Sequence, residues 1–96
     1  MRPKTGGRIE LVLRGAAAVV EYDAVLATPD AEWPGAARID AAGAVTLEGL
    51  DDAPVWLTDY ARAFLRAEWR SRQGPDPEPW PDRIGRWRAK ERDGGV

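Results

Sequence analysis

From Arg8 to Arg14 apolar and polar residues alternate, with Ile9, Leu11 and Leu13 on one side and Arg8, Glu10, Val12 and Arg14 on the other. A period of two is that of a strand buried on one face. Gly15 interrupts the pattern, and residues 17–26 resume it with Val19, Val20, Tyr22 and Val25, so the two segments read as a hairpin turning at Gly15 and Ala16. Residues 28–35, which include Pro29, Asp30, Pro34 and Gly35, read as a loop whose one bulky side chain is Trp33. Trp33 is either a lid over the core or an anchor for a partner. A second hairpin is predicted from residues 38–40 and 44–48 around Ala41-Ala42-Gly43, where the glycine supplies the positive backbone angle of a short loop.

The period then changes. Projected at 100° per residue, Trp56, Leu57, Tyr60, Ala61, Phe64, Leu65 and Ala67 make one apolar stripe along residues 55–73, opposite Asp59, Arg62, Arg66 and Arg70. This predicts one long helix with Leu57, Ala61, Phe64 and Leu65 in the core. Asp52 with Pro54, or Thr58 as a cap, would each start it, and on the second choice Val55 and Trp56 would be strand. Glu68 falls inside the apolar arc and needs a partner, which Arg72 can supply from one turn on. Gly74 ends the helix. Pro75, Pro77, Pro79 and Pro81 stand at alternate positions and force an extended arm, after which Trp80, Ile84 and Trp87 are spaced four and three apart, as in a short amphipathic helix over residues 82–91.

The expected fold is therefore α+β: a small antiparallel sheet of about four strands from two hairpins, one long helix packed on it, and a Pro-rich C-terminal arm ending in a short helix. A chain of 96 residues has room for one core. It is expected to divide into a disordered 1–7, a core domain at 8–73, a Pro/Trp/Arg-rich arm at 74–92 that packs back on the core or on a partner, and a frayed 93–96. Leu, Ile, Val and Phe number only 18, which makes the core thin, but a net charge of −2 argues against disorder. Much of the tryptophan is then needed inside.

Cysteine and histidine are both absent, which removes disulfides, thiolate or imidazole metal sites, and the commonest catalytic base and nucleophile. No catalytic, cofactor or metal residues are assigned, and the expectation is that the chain is not an enzyme. The single serine, Ser71, has no base beside it, and Lys4-Thr5-Gly6-Gly7 lacks the glycine pattern of a phosphate loop. No apolar run reaches membrane-spanning length and no signal-like stretch opens the chain, so a cytoplasmic protein with no membrane partner is expected. Abundant Arg, Ala and Gly with two Lys and no Asn suggest a bacterial, GC-rich source.

What remains is a surface. Four of the five tryptophans lie in residues 56–96, interleaved with arginine, and residues 54–96 carry 9 basic and 7 acidic side chains against 5 and 9 in residues 1–53. Arg and Trp dominate interface hot spots. Arg62, Arg66 and Arg70 form a ridge that is either solvated or a contact for acidic groups. Trp80, Ile84 and Trp87 either staple the arm to the core or, with Arg83, Arg86 and Arg88, present stacking platforms. The partner-binding candidates are thus Arg62, Arg66, Arg70, Trp80, Arg83, Arg86, Trp87 and Arg88, in a non-catalytic protein-interaction module. The expected partners are an unidentified protein and a second copy, since uncovered sheet edges and arm exchange favour a homodimer. Binding of single-stranded nucleic acid or RNA through the same residues is the alternative, weakened by the acidic balance.

Overall fold

A computed structural model describes residues 2–89. Its elements are β1 (Gly7–Ala16), β2 (Val20–Ala27), β3 (Glu32–Ile39), β4 (Val45–Glu48), α1 (Val55–Ser71) and β5 (Arg83–Arg88). The strands make one antiparallel sheet in the order β4-β3-β2-β1-β5. The first four form a meander. Helix α1 then crosses one face, and the chain returns at the far edge to pair β5 with β1. The fold is α+β, as the periodicities indicate, with five strands in place of four.

The alternation in each strand sends Ile9 and Leu11, Tyr22, Ala24 and Leu26, Ala37 and Ile39, and Ile84 to the face under α1. There they meet Leu57, Ala61 and Leu65 of the helix, with Leu50 and Ala53 from the β4–α1 connection closing one end. Burying each of the larger side chains contributes roughly 1.5–3 kcal/mol. Helix α1 starts without a side-chain cap. Pro54 occupies the N-cap position, its carbonyl accepting from the Leu57 and Thr58 amides at 3.0 and 3.1 Å. The Thr58 hydroxyl instead donates to the Val55 carbonyl, so Thr58 is no cap and Val55 and Trp56 are helical.

Four expectations are corrected. The short helix after the prolines is a strand: Leu11 pairs with Ile84 and Gly7 with Arg88, and the Leu13 amide donates to the Asp82 carbonyl at 2.8 Å. A spacing of three between Ile84 and Trp87 suits a strand equally, with the two side chains on opposite faces. The open edge of β1 decides between these, because it offers the segment backbone partners that an isolated turn of helix lacks. Residues 90 and 91 of the predicted helix, and the expected fraying at the C-terminus, lie outside the described residues.

The expected loop at 28–35 ends early, because β3 begins at Glu32 and includes Trp33, Pro34 and Gly35. β4 pairs only with Ala36 to Ile39, so the first half of β3 has a neighbour on one side alone and tolerates proline as an edge does. Gly35 sits where the backbone of Glu48 crosses close above it; a Cβ there would collide with the Glu48 carbonyl and lie 2.8 Å from Leu50 Cγ. Trp33 is partly buried against the core.

Phe64 is the third correction. It is half-buried at the flank of the core, while its neighbour Leu65 is fully enclosed. The first hairpin also turns slightly later than expected, at Ala17 to Val19, after a bulge between Leu13 and Gly15. Among the described residues no helix is long and apolar enough to cross a membrane.

Candidate functional site

The candidate residues divide among three places. Arg62, Arg66 and Arg70 lie on the face of α1 turned away from the sheet. They line a shallow depression of about 370 Å³ with Asp59 and Ala63. Arg66 and Arg70 also border a second depression of about 300 Å³, where the Trp69 ring rests on the β3–β4 turn. That turn is shaped for the ring: Gly43 has φ +86°, and a Cβ on it would sit 2.6 Å from the indole.

Arg86 and Arg88 reach the same side of the molecule from β5. Side chains two apart on a strand are separated by about 6.6 Å, and those four apart on a helix by about 6 Å. The two guanidinium groups therefore match the aromatic pair on α1, with Arg86 5.1 Å from the Phe64 ring centre and Arg88 5.2 Å from that of Tyr60. β5 thus runs antiparallel to the helix. Arg88 shares a depression of about 220 Å³ with Trp56, Asp59, Tyr60 and Ala63, which links it to the arginine ridge. Five arginines and one carboxylate, Asp59, consequently frame the outer face of α1 among the described residues.

Arg83 and Trp87 are elsewhere. They alternate onto the opposite, uncovered face of the sheet, across from Val12 and Arg8 in register. Trp87 remains half-exposed, with its indole N–H donating to the Thr5 carbonyl at 2.7 Å.

Trp80 belongs to neither surface. Its ring meets Tyr22 edge-on at 6.2 Å between centres and carries the Arg72 guanidinium 4.5 Å from its own centre. Arg72 also bonds the Glu68 carboxylate at 3.0 Å and donates to the carbonyls of Glu68, Glu78 and Pro79 at 2.9, 3.1 and 3.4 Å. The expected pairing of Glu68 with Arg72 is present, and Arg72 additionally clasps the returning arm. Nothing in the spacing announces this second task, since the arm's carbonyls carry no sequence signal. Trp80 is therefore a staple, as the thin core requires.

The clasp buries Tyr22, whose hydroxyl donates to the Pro81 carbonyl at 2.7 Å. Burial pushes its phenol up to about 12; nearby Glu68 and Asp82 add to this rise, and Arg72 opposes it. The folded chain thus holds this proton more tightly than the unfolded chain, where the pKa is near 10. The associated stability is complete below about pH 10 and is lost as pH rises from there to about 12, a fall of roughly 2–3 kcal/mol. Urea midpoints measured across that interval should drop for the wild type. Tyr22→Phe should lie lower at neutral pH yet show a flatter decline, and an unchanged decline would assign the alkaline transition to other groups.

The ion pairs distinguish the arginines of β1 and β3 from those of α1. On the uncovered side of the sheet Arg8 pairs with Glu10 at 2.9 Å, Arg14 with Asp23 at 3.4 Å, and Arg38 with Glu48 at 3.1 Å and Glu21 at 3.9 Å. On α1, Arg62 meets Asp59 at 3.6 Å, but Arg66 and Arg70 form no ion pair among the described residues. No cluster of three or more acidic side chains there could hold a metal ion. Comparison with protein-family models, curated proteins and solved structures finds no match for this chain.

Proposed function

We propose that this chain is a small non-catalytic interaction module that binds an acidic protein segment through the arginine face of α1. The observation that carries this reading is the contrast in pairing: the arginines of β1 and β3 are neutralised within the chain, whereas Arg66 and Arg70 point outward and meet no carboxylate among the described residues. Guanidinium forks suit carboxylates, and the flanking aromatic rings hold Arg86 and Arg88 in place beneath the ridge. The absence of histidine and cysteine from the whole sequence supports a role without catalysis. Phosphate would meet the same forks, but the ridge is short and the chain carries a net charge of −2, which opposes a long, densely charged nucleic acid more than a short acidic segment.

The test is binding of fluorescein-labelled acidic peptides, followed by anisotropy, with and without Arg66→Glu/Arg70→Glu. Affinity should be lost in the double variant and fall as salt screens the contact. Mixed single- and double-stranded oligonucleotides should bind negligibly at physiological salt. Micromolar oligonucleotide binding with a steep salt slope, abolished by the same variant, would replace the protein partner with nucleic acid.

A further inference from the structure

The edge of the sheet next to this arginine face is also open. β5 is the outermost strand on its side and no strand lies beyond it among the described residues. Its six residues, Arg-Ile-Gly-Arg-Trp-Arg, are long enough for a continuous ladder. The opposite edge differs: β4 has four residues and packs against α1.

Unpaired backbone groups on an edge accept another strand unless something repels it. On β5 the guard is arginine on both faces, with Arg86 and Arg88 beside the helix and Arg83 on the uncovered side. Arginines at both faces discriminate among incoming strands rather than excluding all of them. A second copy of β5 is rejected, because antiparallel self-pairing would bring three arginines from each copy onto neighbouring strands, and like charges opposite one another destabilise a pair. A strand with carboxylates on its two faces meets complementary charge at each. Gly85, in the middle of β5, adds no side chain of its own to the edge.

We propose that the acidic partner docks as an extended segment that adds a sixth strand to the sheet along β5, with backbone hydrogen bonds supplying affinity and Arg83, Arg86 and Arg88 selecting for carboxylates. This rests on the reading of an acidic partner and specifies how it binds.

The probe is the heptapeptide Val-Glu-Glu-Val-Glu-Glu-Val, whose glutamates fall on both faces of a strand, together with one version N-methylated at its even-numbered residues and another at its odd-numbered residues. In a strand only one alternate set of amides faces β5, so one N-methylated peptide should lose affinity on the order of tenfold or more while the other binds as the parent does. Arg83→Glu, on the far side of the sheet from α1, should weaken the parent peptide in the same assay. If both N-methylated peptides match the parent and Arg83→Glu has no effect, strand addition is overturned while the arginine face of α1 stands. If neither this heptapeptide nor a helical acidic peptide binds, the acidic-partner reading fails as well.

Discussion

Deleting residues 75–96 should abolish cooperative folding. The deletion removes Ile84, which is 5% exposed, and Trp80, which closes the core over Tyr22. Loss of each such side chain costs roughly 2–5 kcal/mol. It also removes the hydrogen bond from the Tyr22 hydroxyl to the Pro81 carbonyl, which contributes about 0.5–1.5 kcal/mol. A domain of this size has only about 5–14 kcal/mol in total. Circular dichroism in a urea titration should show no sigmoidal transition for the truncated chain, or one at a greatly reduced midpoint. A native-like curve would make the arm dispensable, and would mean that neither the Arg72 clasp nor β5 contributes to stability.

The second large effect is on the buried face of α1. Leu57→Ala and Leu65→Ala should each destabilise by about 2–5 kcal/mol, because both side chains are fully enclosed between the helix and the sheet. Phe64→Ala should cost less, about 1–2 kcal/mol, since the ring is half-buried and what it loses is flank packing and the Arg86 contact. Thermal or denaturant melts of the three variants would read the helix register directly. Equal losses at positions 64 and 65 would rotate the buried face of α1 away from the one described.

How much of the fold is legible in the sequence follows from how local each signal is. The alternation at Ile9, Leu11 and Leu13 and the stripe through Leu57, Ala61 and Leu65 are properties of single elements, and both appear where the periodicity places them. The Arg66 and Arg70 ridge is equally local, being set by a spacing of four. β5 escapes a sequence reading because six residues with one Ile and one Trp satisfy either period, and the choice is made by the free edge of β1, far away in sequence. The early start of β3 is hidden for a related reason: Pro34 and Gly35 are breakers by composition, yet they are accommodated where β4 does not reach. The cationic stacking of Arg86 on Phe64 and Arg88 on Tyr60 can be suspected only once β5 is known to run antiparallel to α1. Phe64 itself lies at the margin of a broad stripe, where projection alone does not separate the enclosed from the half-covered.

The pairing of β1 with β5 also shapes how the domain must assemble. Hairpins between consecutive strands and the turns of α1 close short loops, whereas the ladder joining Gly7 to Arg88 closes almost the whole described chain and forms only after the ends have met. We expect the meander and helix to make up most of the folding nucleus and β5 to zip on afterwards. Substitutions such as Ile84→Val would then accelerate unfolding while leaving the refolding rate nearly unchanged. The last strand to join would also be the first to leave, so kinetic resistance to unfolding would be governed by the grip of Arg72 and Trp80 on the segment that leads into it.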